Sequence, residues 1–362
     1  MKTSSDLFMM MSKEMFKLPV PSNLHFMWNF GSMLGICLGI QITTGLLLSM
    51  HYEASTMNSF SSVVSICLDT PGGWLIRLVH ANGASFMFMC VYMHMGRGLY
   101  YRSFNSLPMV WLSGVVIFYL MMMTAFMGYI LPWGQMSYWG ATVITNLISA
   151  IPYLGSMVVE WIWGGFSVEN PTLVRFYSLH FLMPFVISGL VLSHLTFLHT
   201  YGSSNPLGVS LVSDPTFFHP YFSFQDLMGF LALIMMLTVV TLLTPDILLD
   251  PSNFSEANPM ITPLHIQPEW YFLFAYSILR SIPSKLGGVV ALALSVVLLL
   301  LMPMKGYKSV TSRFSLSQKL LFIVLVISFV TLTWLGAMPM EYPFTEWGRI
   351  MTIFYFMFYI FY

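Results

Sequence analysis

Stretches of about twenty apolar, nearly charge-free residues recur eight times along this chain, and no other feature constrains its fold so tightly. Twenty such residues make a helix of roughly 30 Å, the thickness of a bilayer's hydrocarbon core. The stretches run over 30–50, 76–99, 110–131, 174–198, 226–245, 285–304, 318–338 and 344–362, here spans A to H. Glu346 and Arg349 make H the weakest. Charged residues are 8% of the 362 and hydrophobic ones 57%, which leaves too little polar surface to cover a water-soluble particle. Fourteen bases balance fourteen acids, so no basic excess exists to pair with nucleic-acid phosphates. The expected fold is therefore an all-α membrane protein with eight transmembrane helices in the lipid bilayer.

A ninth charge-free stretch, 133–151, reads differently. Thr142, Thr145, Asn146 and Ser149 fall on one helical face, which suits a helix lying in the interface. With eight spans, the N-terminal side carries nine bases (Lys2, Lys13, Lys17, Arg97, Arg102, Lys305, Lys308, Arg313, Lys319) against four acids (Asp6, Glu14, Asp214, Asp226), and the other side five against ten. Both termini are thereby expected on the positive-inside face, and a ninth span would scramble the separation. Residues 1–17 carry no cleavable signal pattern. Cys37, Cys67 and Cys90 are scattered without CxxC spacing, so they read as packing residues rather than cluster ligands.

Four of nine histidines lie inside spans: His80 and His94 in B, His180 and His194 in D. Each pair is fourteen apart, which returns to within about 40° of the starting azimuth after roughly 21 Å of rise. B and D are separated by one return pass and run parallel, so His80 faces His180 and His94 faces His194. Two imidazoles from facing helices suit the axial positions of a haem iron better than a zinc site, which wants three or four protein ligands. Gly31 and Gly45 in A, and Gly114 and Gly128 in C, repeat the interval, as if two macrocycles needed backbone clearance at two depths; small residues also simply allow close helix packing. Arg77 precedes His80 by three, Arg97 follows His94 by three, and Arg175 precedes His180 by five, so each could pair a propionate near a membrane surface. Snorkelling at span ends is the plainer reading of these arginines.

These residues sit in blocks that resemble mitochondrial cytochrome b, the haem-bearing core of ubiquinol:cytochrome c oxidoreductase, respiratory complex III. The blocks are His80-Ala-Asn-Gly-Ala, His94-Met-Gly-Arg-Gly-Leu-Tyr-Tyr, Gly128-Tyr-Ile-Leu-Pro-Trp-Gly-Gln-Met-Ser, Trp161-Ile-Trp-Gly-Gly-Phe and Pro268-Glu-Trp-Tyr-Phe-Leu-Phe-Ala-Tyr, in family order over nearly the whole chain. The resemblance implies a low-potential b haem at His80/His180 and a high-potential one at His94/His194. It also implies a four-helix haem-binding domain over 1–205, a smaller four-helix part over 206–362, and a quinol-oxidation segment at 268–281. A multi-pass protein of the mitochondrial inner membrane with matrix-side termini is expected, in a homodimeric complex with a Rieske iron–sulfur protein, cytochrome c1 and other subunits. The chain itself has neither a cysteine cluster nor a CxxCH site for a c-type haem.

Two quinone sites follow. Glu269 and Tyr276 are seven apart in an apolar stretch that opens Pro268-Glu269-Trp270-Tyr271, and a carboxylate beside an apolar pocket is suited to taking a hydroquinone proton. The resemblance assigns ubiquinol oxidation there, with Gly140 and the 133–151 helix as the other wall. On the positive-inside face, His199 ends span D and Asp226 begins span E; as plain structure they are a C-terminal histidine and an N-terminal aspartate. The family places ubiquinone reduction here, where Ser32 matches a further position, while Thr200, Tyr201 and Gln225 depart from its pattern. The expected function is electron transfer between these sites through two stacked haems, contributing to a proton gradient. Two rivals are a two-haem anchor cytochrome of a quinone-linked dehydrogenase and a histidine-based proton channel or transporter.

Overall fold

The computed structural model describes residues 18–209, 214–305 and 311–362. Lys2, Asp6, Lys13, Glu14, Lys17 and Lys308, used above for orientation, lie outside them. Nearly all regular structure is helical; Pro19–Pro21 (β1) and Pro215–Phe217 (β2) pair antiparallel with Val20 opposite Thr216.

Among the described residues, seven helices are long and apolar enough to cross a membrane. Six of them contain α1 (Phe30–Ser49), α3 (Gly73–Tyr100), α4 (Pro108–Ile130), α7 (Asn170–Tyr201), α8 (Tyr221–Leu243) and α10 (Lys285–Leu301). The seventh is α11 (Leu316–Gly336). Between them lie the short α2 (Ser59–Leu68), α5 (Gln135–Asn146), α6 (Gly155–Trp163) and α9 (Leu273–Ser281). Span H also forms a helix, α12 (Phe344–Phe361), but Glu346 and Arg349 form a 2.8 Å salt bridge in its first turns. Those two charges keep it below the apolarity of the other seven, so the structure supports seven such helices where eight were expected.

The stretch 133–151 does not span. α5 has 12 residues followed by a short 3-10 turn, and about 18 Å of helix cannot cross a 30 Å core. Its expected polar face is not uniformly wet, however. Thr145 is buried and accepts a 2.7 Å hydrogen bond from the Trp163 indole, because α6 folds back over it.

Helices α1 and α3 pack side by side, as do α4 and α7; α8 lies against α3 and α1. Farther along the chain, α9 packs against α10, α11 and α12. Entry into α3 needs a glycine: a Cβ on Gly73 would lie 1.9 Å from the Ile66 carbonyl oxygen, so α2 can approach that closely only there. Cys37 and Cys90 are buried in the core where α1 meets α3. Pro184 sits inside α7, where it removes one helical donor.

Candidate functional site: two imidazole pairs and a carboxylate cavity

α3 and α7 present their histidines to one another at two levels. The ring centroids of His80 and His180 are 6.2 Å apart, and those of His94 and His194 are 6.3 Å apart. Two metal–imidazole bonds end to end put the ligating nitrogens about 4 Å apart, and each centroid lies about 1 Å farther back. Both spacings therefore fit one metal ion between two rings.

Hydrogen bonds fix the tautomer at three of the four. His180 Nδ1 lies 2.8 Å from the Thr124 carbonyl, which only accepts. Thr44 Oγ1 donates to the Ile40 carbonyl, so it accepts from His80 Nδ1, 2.8 Å away. Ser113 Oγ likewise donates to Val110 and accepts from His194 Nδ1 at 2.8 Å. With the proton on Nδ1, each Nε2 keeps its lone pair for a metal. His94 Nδ1 is buried and has no partner among the described residues.

The four glycines stand behind these rings. A Cβ on Gly45 would meet His80 Cε1 at 3.1 Å, on Gly31 His94 Cε1 at 3.2 Å, on Gly114 His194 Cε1 at 3.1 Å, and on Gly128 His180 Cε1 at 2.3 Å. Helices α1 and α4 thus reach the imidazoles from behind, and the fourteen-residue interval on those helices gives space to the ligand side chains. Two haems fit this donor set: paired neutral imidazoles, backing glycines and apolar surroundings.

A cavity of ≈ 260 Å³ opens at the first pair; its wall includes His80, His180, Arg77, Tyr129, Asn253 and Glu269. Gly45, Gly128 and Tyr271 also line it. The Arg77 guanidinium lies 5.6 Å from the Phe254 ring centroid. Arg97 lies 5.4 Å from the Trp28 ring, three residues beyond His94. Arg175 is not part of the cavity wall; it donates to the Trp161 and Ile162 carbonyls at the end of α6, where a helix leaves carbonyls unpaired.

Glu269 stands at the N-cap position of the short 3-10 turn Trp270–Phe272 before α9, without a capping bond from its side chain. Burial pushes its carboxyl up to about 8, the Asp250 carboxylate adds to that rise, and a hydrogen bond with Tyr129 opposes it. Desolvation favours the neutral acid, so this group exchanges a proton near neutrality. Tyr276 is not in the wall. A 3-10 turn interrupts the helix between it and Glu269, and its hydroxyl donates to the Ile266 carbonyl at 3.1 Å. Burial raises the Tyr276 phenol above its ordinary range, with Arg280 pulling it back. Trp270 donates to Ser85 Oγ at 3.0 Å, and Tyr271 stacks on Phe88 with centroids 4.0 Å apart. Pro268 leads into this turn, while Gly140 is buried in α5 with open space at its Cβ position.

On the other face Ser32 Oγ donates to Asp226 Oδ1 at 2.8 Å, joining α1 to α8. Asp226 lies in the second turn of α8, since that helix begins at Tyr221. His199 is exposed in the last turn of α7, with no hydrogen bond to either among the described residues.

Sequence reasoning missed Thr44, Ser113, Tyr129, Asp250 and Asn253. The signal for three of them was adjacency: Thr44 precedes Gly45, Ser113 precedes Gly114, and Tyr129 follows Gly128.

The family described as cytochrome b/b6/petB matches residues 15–202, and that described as cytochrome b (C-terminal)/b6/petD matches residues 256–356. The cytochrome b of Albinaria caerulea is 55% identical over 351 residues, 97% of this chain and 96% of that protein. A solved structure described as a hyperthermophilic respiratory complex III superposes with a TM-score of 0.94 at 33% identity, covering 99% of this chain and 95% of its own. Paired transmembrane imidazoles, backing glycines and these matches over nearly the full length lead to one conclusion: the chain belongs to the cytochrome b family.

Proposed function

We propose that His80 with His180, and His94 with His194, each hold the iron of one b-type haem, the first of low and the second of high potential. As a cytochrome b, the chain is the quinol-oxidising, electron-transferring catalytic core of ubiquinol:cytochrome c oxidoreductase. The observation that carries the two-haem reading is the pair of imidazole spacings, 6.2 and 6.3 Å. Haems so held would supply one-electron transfer at iron.

The protein's own side chains do the rest. Ubiquinol binds beside Glu269 at the end of the cavity away from the imidazoles, where Tyr129, Asn253 and Tyr271 share the wall with it. Ionised Glu269 takes a proton from a quinol hydroxyl, which leaves an anion that gives up an electron more readily. Arg77 and Arg97 pair with haem carboxylates, since each sits three residues from a ligand histidine toward the nearer membrane face. Asp226, with Ser32 hydrogen-bonded to it, and His199 at the end of α7 bind and protonate ubiquinone on the opposite side. Separating the two reactions across the membrane makes the transfer electrogenic, at about 2.3 kcal/mol per charge per 100 mV.

The finer topology is part of the same reading. α12 is the eighth span, residues 1–205 form the haem domain, and 206–362 carry the quinol-oxidation segment 268–281. The complex is a homodimer of the mitochondrial inner membrane with termini on the matrix side, and one electron of each pair leaves to a Rieske protein and cytochrome c1. A reduced-minus-oxidised spectrum with a redox titration tests the core of the proposal. Two b-type components of distinct potential are expected; no haem band in intact protein would overturn it and favour a histidine proton relay.

A further inference from the structure

We propose that Asn253 is a positioning residue for quinol oxidation: its carboxamide caps α5 from outside that helix, and this bond anchors the segment through which Asn253 itself lines the Glu269 cavity. The inference rests on the reading of that cavity as the quinol-oxidation site. α5 begins at Gln135 with Gly134 in the N-cap position, extended at φ −88° and ψ 170°. An N-cap residue ordinarily lends a side-chain oxygen to the amide two or three positions on, one of the donors that a helix start leaves unpaired. Glycine has no such oxygen.

Asn253 supplies it from elsewhere in the chain. The Ser137 amide donates to Asn253 Oδ1 at 2.9 Å. That oxygen occupies the place of the missing side chain, since a Cβ on Gly134 would lie 2.3 Å from Asn253 Oδ1 and 2.5 Å from its carbonyl oxygen. Glycine at 134 and asparagine at 253 are therefore one device, and neither is legible without the other. Further bonds lay the same segment along the start of α5: Gln135 N to the Ser255 carbonyl at 2.9 Å, Ala257 N to the Trp133 carbonyl at 2.9 Å, and Asn258 N to Gln135 Oε1 at 2.7 Å.

Asn253 also lines the cavity with Glu269 and Tyr129. Three residues before it, Asp250 accepts from the Ser252 amide at 2.8 Å and from the Gln267 carboxamide at 3.3 Å. The cap thus anchors both Asn253 in the cavity wall and the turn that carries Asp250, whose charge acts on Glu269. Loosening it would spoil substrate placement without touching either imidazole pair.

The test uses the purified complex carrying Asn253→Ala or Asn253→Asp. Hydrogen exchange over Gln135–Gly140 and quinol-oxidation kinetics are measured together with the haem spectrum. Asn253→Ala should speed exchange roughly fivefold, the size of a lost cap, and raise the quinol KM several-fold while kcat changes less and the haem bands stay in place. Asn253→Asp should restore the exchange protection, because its carboxylate accepts the same bond and suits a helix N-terminus, while its charge beside Glu269 moves the rate-against-pH profile toward alkali, as Asp250 does. Unchanged exchange in Asn253→Ala, or no recovery of exchange protection in Asn253→Asp, would overturn the cap. Faster exchange with KM unmoved would overturn the positioning role. Glu269→Gln run alongside keeps the two readings apart: an unchanged rate there defeats the cavity assignment, while exchange over α5 still decides the cap.

Discussion

The imidazole of His180 fills the space that any side chain at residue 128 would need: a Cβ on Gly128 would come within 2.3 Å of His180 Cε1. The other three glycines leave their rings 3.1 to 3.2 Å, so the four substitutions should differ in severity. Gly128→Ala must displace His180 and should abolish haem retention at the His80/His180 pair. Gly31→Ala, Gly45→Ala and Gly114→Ala require shifts of a few tenths of an ångström, with overpacking costs near the low end of about 1–3 kcal/mol. Haem content per chain and the two b-type components check the ranking.

Glu269→Gln should slow quinol oxidation by about 100-fold or more, the usual contribution of a positioned base, with both haem bands intact. In the unsubstituted protein the base form appears as pH rises through about 8, so the rate should climb across that interval. Stability moves the other way. The folded carboxyl keeps a proton that the unfolded chain loses near 4.5, so this group makes folding less favourable as pH rises from about 4.5 to about 8. Rate against pH in both proteins checks the prediction.

Asp250→Asn should move that pH profile toward acid. The Asp250 charge raises the Glu269 carboxyl, and asparagine removes the charge while keeping the cap on the Ser252 amide. Tyr129→Phe removes the hydrogen bond that favours the carboxylate, so it should shift the profile toward alkali. Opposite displacements measured in the same buffers are the expected signature.

Thr44→Val and Ser113→Ala should act on different haems. Thr44 orients His80, and Ser113 orients His194; removing such a partner commonly weakens metal binding by about 10–100-fold. A redox titration should show the low-potential component altered in Thr44→Val and the high-potential one in Ser113→Ala.

Asp226→Asn should slow reoxidation of the high-potential component by added quinone, and Ser32→Ala should do so less, because it removes only one 2.8 Å hydrogen bond to that carboxylate. Stopped-flow reoxidation of the pre-reduced complex checks the order.

Periodicity made much of this architecture legible. Apolar length alone located helices to within a few residues, as at span C, expected over 110–131 and found at Pro108–Ile130. The fourteen-residue interval brought His80 to His180 and His94 to His194, since a straight helix repeats its azimuth whatever surrounds it. Where the helix is not continuous, the same reasoning lacks its premise. The seven-residue spacing of Glu269 and Tyr276 presumed one continuous helix, but Glu269 precedes the 3-10 turn Trp270–Phe272 and Tyr276 lies in the α-helix after it, outside the cavity wall.

What the sequence determined by itself is therefore what local geometry and hydropathy control: which segments enter the bilayer, and which residues of one helix share a face. Only the tertiary structure decided the partners of those faces. It set Gly128 against His180, Thr44 against His80, and Tyr129 with Asp250 around Glu269. It also placed Asn253 over Gly134 across more than a hundred residues of chain. Such contacts depend on how helices pack and where loops return, and no period along the chain encodes them.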